Sequence, residues 1–133
     1  MRDTPAGLNL TLLPDRLAIC RLAADDALPA WAVTARGFLS LTRTAGELSV
    51  VCPESIVPEG VKQESGWVAC RVAGPLDFAL TGILAALAGP LADAGISLFA
   101  VSTFDTDYIL VRASAVEAAG AALRAAGHTI TPA

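Results

Sequence analysis

GPLDFALTGILAALAGPLADAGISLFAVSTFDTDYILV, residues 74–111, carries more of the fold than any other stretch of this chain. It reads as a loop, an apolar helix, a turn and a β-hairpin, with polar clusters at two of the joints. Ile83, Leu84, Leu87 and Leu91 fall one, three and four residues apart and form a single apolar helical stripe. Gly89-Pro90 interrupts that stripe. Because the apolar period resumes at Leu91 and Ala94, the proline is expected to bend the helix without breaking it. Gly95 is placed to stop the helix, and Ile96 and Leu98 then open the next strand.

The helix start and the hairpin carry the candidate chemistry. The first turn of a helix has free N–H groups and the positive end of the dipole. A glycine at Gly82 lets a second group come close to that backbone. Two readings stay open there: a carboxylate docking near Thr81, Gly82 and Ile83, or simple close packing of helix on strand. In Thr103-Phe104-Asp105-Thr106-Asp107 a tight turn accounts for one or two polar residues, not for all of them. Asp107 could pair with an ammonium or guanidinium group if the register points it at the helix start. Phe104 would then supply an apolar wall, and main-chain groups around Thr103 and Phe104 could bond a ligand. Asp77, in the loop, is either a ligand-selecting residue or a solvated turn residue.

Outside this stretch the chain echoes itself. Leu17–Ala23 (LAICRLA) matches Trp67–Ala73 (WVACRVA) at an offset of 50 residues, and Phe38–Val51 aligns with Leu98–Val111 at an offset of 60. Two repeats make a pseudo-symmetric pair of modules, too few for a solenoid. Each reads as strand, helix, hairpin, helix, strand, the βαββαβ order of a ferredoxin-like fold. The expected class is α+β: two tandem modules, residues 1–65 and 66–133, with antiparallel sheets covered by helices on one face. In the first module the strands are Arg16–Leu22, Phe38–Thr42, Leu48–Cys52 and one near Val61–Glu64. Its first helix has only Asp25 to about Arg36 to form in, and its second is a short one from Pro53. That module therefore reads as degenerate. In the second, strands are expected over Trp67–Val72, Ser97–Ser102, Tyr108–Arg112 and His128–Thr131. Its second helix is expected to start on a Ser114/Glu117 capping box, present Val116, Ala119, Leu123 and Ala126 on one face, and stop at Gly127.

Composition excludes several classes of function. Of 133 residues 54% are apolar and 17% charged, so the chain is not disordered. A formal net charge of −4 with few basic clusters argues against a nucleic-acid partner. The best apolar run, Ile83–Ala92, is half the length of a membrane span. The start, Met1-Arg2-Asp3-Thr4-Pro5, lacks the apolar region of a secretory signal, which points to a cytoplasmic protein. Cys20, Cys52 and Cys70 show no metal-ligand spacing and sit in apolar strand-like runs, so they read as small core residues, and no metal is expected. No phosphate loop or nucleophile elbow occurs, and His128 has no identifiable partner and reads as a surface or strand residue. No catalytic residue and no cofactor follow from these features.

The same stretch resembles the ligand-binding half of a small ACT-domain family that includes bacterial stand-alone ACT proteins and the arginine-sensing CASTOR proteins of animals. The resemblance rests on Gly74-Pro75-Leu76, Leu80-Thr81-Gly82-Ile83, Pro90-Leu91-Ala92-Asp93-Ala94-Gly95-Ile96 and Ser102-Thr103-Phe104-Asp105-Thr106-Asp107. It implies two tandem ACT modules and an amino-acid-binding regulatory protein without catalytic activity. It also implies a homodimer paired through those modules, with an unidentified protein partner reading the signal. The ligand residues it implies are Gly82, Ile83, Thr103, Phe104 and Asp107, with Thr81 and Asp77 from the loop. The rival reading is an interaction or oligomerisation module whose ligand site has decayed.

Overall fold

The computed structural model describes residues 7–74 and 82–133. Among these residues eight strands are formed: β1 Asn9–Leu12, β2 Leu17–Leu22, β3 Ser40–Arg43, β4 Leu48–Pro53, β5 Lys62–Val72, β6 Phe99–Ser102, β7 Asp107–Arg112 and β8 Thr129–Pro132. The helices are α1 Ala30–Val33, α2 Ile83–Asp93 and α3 Val116–Ala125, and short 3-10 turns cover Glu54–Ile56 and Ala113–Ala115. The chain divides into a unit of residues 15–67 and a unit of residues 68–133 joined by the segment through Pro14. This differs from the expected division at 65/66. The boundary itself moves by two residues, but the N-terminal segment belongs with the C-terminal unit.

That segment forms β1, a strand absent from the sequence reading. In the C-terminal unit the strand order is β6-β7-β5-β1-β8. A four-stranded ferredoxin-like sheet would have β8 beside β5. Here β1 lies between them, antiparallel to β5 (Leu10↔Val72, Leu12↔Cys70) and parallel to β8 (Leu10↔Ile130, Leu12↔Pro132). The sheet is therefore mixed, not antiparallel throughout. The reason is geometric: β8 already runs opposite to β5, so any strand inserted between them must run with one and against the other.

α2 and α3 cover this sheet. Leu87 and Leu91 of α2 and Ala119 and Leu123 of α3 pack with Leu10, Cys70, Val72, Ile109, Val111 and Ile130 in one buried cluster. Burying a leucine side chain there contributes about 1.5–3 kcal/mol. α2 continues through Pro90, as the apolar stripe implied. Proline has no N–H, so the Ala86 carbonyl four residues earlier lacks its helical donor. His128 Nε2, 3.2 Å from Ala86 O, takes that place, and its Nδ1 accepts the Leu8 N–H at 3.2 Å. The pattern requires the proton on Nε2. His128 is thus buried and holds β1 and α2 together; it is neither a surface nor a strand residue.

Gly127 stops α3 as expected, with φ 95° and His128 N–H bonded to Leu123 O at 3.0 Å. The expected capping box is not formed. Ser114 lies inside the 3-10 turn, Ala115 is the N-cap, and no side chain caps the helix.

In the unit of residues 15–67 the order is β3-β4-β2-β5, all antiparallel, which is the ferredoxin-like order. The expected strands near Val61–Glu64 and over Trp67–Val72 are one strand, β5, whose first residues pair with β2 and whose last pair with β1. The helices are reduced further than expected: α1 is a single turn after Pro29, and the second is only the 3-10 turn after Pro53. Ala18, Cys20, Ala32, Leu48, Val50 and Cys52 form the core, flanked by Trp31, Ile56, Val57 and Val61.

All three cysteines are buried and free. Burial pushes the Cys70 thiol up to about 11. The Cys52 thiol hydrogen-bonds Cys20, which drives Cys52 up and holds Cys20 below its ordinary value against the opposing effect of burial.

Candidate functional site

The described candidate residues, Gly82, Ile83, Thr103, Phe104 and Asp107, lie at one end of the C-terminal unit. Gly82 sits at φ 80°, ψ 2° immediately before α2. This left-handed conformation is open to glycine and costly for a residue with a Cβ. The first intrahelical bond runs from Ala86 N–H to Gly82 O at 2.8 Å, so the N–H groups of Ile83, Leu84 and Ala85 lie ahead of it. Among the described residues no side chain caps the helix. Ile83 itself is buried. The role suggested for Ile83 is thus a main-chain one, and its side chain anchors the first turn.

The hairpin turn is built from its threonines. Thr103 N–H and Oγ1 both donate to Thr106 O, at 2.8 and 3.0 Å, and Thr106 N–H donates back to Thr103 Oγ1 at 3.3 Å. Thr103 therefore closes the turn through its own amide and hydroxyl. Thr106, for which the sequence suggested no ligand role, is 7% exposed and donates its hydroxyl to Val72 O at 2.6 Å. This bond ties the hairpin turn to the end of β5. A threonine in a polar turn carries no sequence signal that separates this role from ordinary turn formation. Phe104, at the tip, exposes 80% of its surface.

Asp107 pairs with Ser102 across the hairpin and is half-buried. Along β7 it shares a face with Ile109 and Val111, which pack against Leu87 and Leu91 of α2. β6 starts at the far end of the hairpin from its turn, and α2 feeds into β6 through Gly95 and Ile96. The start of α2 is therefore at the end where the turn lies. Asp107 and the first turn of α2 thus occupy the same end and the same face of the sheet. Asp77 and Thr81 lie outside the described residues, as does most of the GPL and LTG motifs. Among the described residues no three His, Cys, Asp or Glu side chains converge as a metal site.

The N-terminal unit provides an internal comparison. Thr44 N–H donates to Glu47 O at 2.9 Å, with Thr44 Oγ1 accepting from Glu47 N–H, the same turn as Thr103–Thr106. Matching the turns and their strands sets the repeat offset at 59 residues here, one less than the sequence alignment gave. Asp107 then corresponds to Leu48, which is fully buried. Ser102 corresponds to Arg43, whose guanidinium donates to the carbonyls of Ala24 and Asp26 in the loop after β2. The N-terminal unit fills with its own arginine and leucine the positions where the C-terminal unit has a serine and an aspartate.

Residues 62–125, which include this helix start and polar hairpin turn, match the ACT domain family model. Residues 15–60 match a separate model describing an N-terminal domain. The protein Atu0741 of Agobacterium tumefaciens superposes with a TM-score of 0.91 at 40% identity, over 97% of this chain and 96% of that one. The chain belongs to the same family as Atu0741. The Vibrio cholerae protein VC0802 has the same fold at 18% identity (TM-score 0.74, 91% of each chain). So does the regulatory subunit of aspartate kinase from Thermus thermophilus in its ligand-free form, at 13% identity (TM-score 0.61, 91% of this chain and 97% of that one). No curated protein sequence matches the chain. Among the described residues no helix is long and apolar enough to cross a membrane.

Proposed function

We propose that this chain is an amino-acid-binding regulatory protein without catalytic activity. One observation carries the reading: Asp107 stands on the helix-facing side of β7, where the equivalent residue of the N-terminal unit is a buried leucine. A carboxylate kept at a core-facing position costs stability unless it has a partner. The first turn of α2, at the same end, offers N–H groups to an anion, and the two together suit a zwitterion. The ligand carboxylate docks on the N–H groups around Gly82 and Ile83, and its ammonium or side-chain cation meets Asp107. Phe104 covers it from the turn, Thr103 holds the turn in shape, and Thr81 and Asp77 complete the loop side. Binding acts by favouring one state of a homodimer or of a complex with a protein partner, since a ligand shifts an equilibrium only by its differential affinity. The N-terminal unit is a degenerate ACT-like module whose own cleft Arg43 closes. The likeness to a regulatory subunit of aspartate kinase is in keeping with this reading. The protein is expected in the cytoplasm.

A second reading is favoured by the exposed Phe104: an oligomerisation module that presents this aromatic ring to a partner and binds no ligand. Calorimetric titration and thermal shift with the twenty amino acids separate the two. At least one should bind, and Asp107→Ala should weaken it by about 2–5 kcal/mol if the charge pair is desolvated. No heat and no shift with any of them would remove the sensor reading.

A further inference from the structure

A cavity of about 380 Å³ opens between α3 and the β1 and β8 strands, away from the helix start and hairpin turn. Leu12, Val116, Ile130 and Pro132 form its apolar wall, and Arg124, Glu117 and Thr131 bring its polar groups. Its floor is Gly120. This glycine is buried in the middle of α3, where an alanine would be the better helix former. A Cβ on it would stand 3.1 Å from Arg124 Nη1 and 3.6 Å from Cζ. The Arg124 guanidinium thus lies back across the helix over the bare backbone of Gly120, and a Cβ there would push it by a few tenths of an ångström. The same guanidinium is steadied by Nη2 donating to Ile130 O at 3.4 Å. One carbonyl uses one of its five N–H donors, so the remaining fork is left to face the cavity.

We propose that this cavity is a second small-molecule site, for a compact carboxylate with a branched aliphatic body. The carboxylate is bound by Arg124, whose planar fork suits two oxygens. The aliphatic body lies against Leu12, Val116, Ile130 and Pro132. Glu117 sits seven residues, two helical turns, before Arg124 on the same stripe of α3 as Gly120. It gives a place for an ammonium group, so a free acid and the corresponding α-amino acid share the anchoring chemistry and differ only at Glu117.

The test is a titration of the full chain by amide and guanidinium NMR, with isovalerate in one arm and L-leucine in the other. Saturating shifts are expected at Gly120, Arg124 Nε and Thr131 in at least one arm. Arg124→Gln, at an exposed position that leaves the core untouched, should weaken binding about tenfold or more. Asp107→Asn should leave these shifts in place, which separates this site from the one at the helix start. If leucine binds more tightly than isovalerate, Glu117→Gln should erase the difference. The absence of saturating shifts at these residues in both arms overturns the proposal, as does unchanged affinity in Arg124→Gln.

Discussion

His128→Leu tests the link between Pro90 and the far end of the chain. Leucine roughly conserves volume, so the loss is chiefly that of two hydrogen bonds: Leu8 N–H to Nδ1 and Nε2–H to Ala86 O. His128 is 4% exposed, so water does not replace them freely. Leaving a buried donor or acceptor unmade costs about 1–3 kcal/mol each, which gives about 2–6 kcal/mol in total. That is a large part of the about 5–15 kcal/mol that holds a typical domain. Urea unfolding followed by circular dichroism measures it. The sharper assay is a double-mutant cycle with Pro90→Ala. An alanine at position 90 restores an N–H that can serve Ala86 O, so the acceptor no longer depends on the histidine. In that background His128→Leu should cost about 1–2 kcal/mol less than in the wild type. Additive effects would refute the claim that His128 substitutes for the missing proline N–H. A cost below about 1 kcal/mol for His128→Leu alone would refute the claim that its two bonds matter to stability.

Thr106→Val removes the hydroxyl bonded to Val72 O while keeping the shape of the side chain. It should destabilise by about 1–2 kcal/mol, with Thr106→Ser close to wild type, as read from urea midpoints; equal midpoints for Val and wild type would refute the tether. Cys70 supplies a pH dependence. Its folded-state pKa is raised from 9.0 to about 11, so the native state holds the proton more tightly than the unfolded chain. Its contribution is fully present below pH 9 and is lost as the pH rises to about 11, a fall of about 3 kcal/mol over that window. In Cys70→Val the alkaline slope of the unfolding free energy should be shallower over the same window, and an unchanged slope would exclude Cys70 as its source.

The C-terminal unit was legible where local signals and tertiary packing agree. The Ile83–Leu91 stripe gave α2 its length despite Pro90, and Gly95 and Gly127 ended the helices where they were expected to. β1 was not legible because Asn9–Leu12 is only four residues long and its place depends on two strands more than fifty residues away. His128 escaped for a related reason. Its partner is a carbonyl orphaned by a proline 38 residues earlier in sequence, and nothing near residue 128 announces it. Ser114 misled in the opposite direction: the capping pattern is present, but a 3-10 turn places the serine inside the helix entry instead of before it. At the candidate site, Gly82 and Asp107 stood out as residue types, whereas the bond from Thr106 to Val72 O joins residues 34 apart and had no local signal.

The repeat itself shows why residue type alone could not decide the site. Aligning apolar letters joined the two hairpins one position out of register, which set Asp107 against Glu47, another acidic residue. The hydrogen bonds of the Thr44 and Thr103 turns remove that slip. In the corrected register the comparison is between Leu48 and Asp107, two residues at one backbone position on the helix-facing side of a sheet. One unit completes its core there. The other places a carboxylate there and a short serine where its counterpart uses Arg43 to bond the neighbouring loop. Both differences take apolar or cationic bulk away from the same end of the C-terminal unit. The N-terminal unit holds a buried leucine and a loop-bonded arginine at that place, and the C-terminal unit does not. The asymmetry therefore favours a ligand at the hairpin end of the C-terminal unit over a purely architectural role for it.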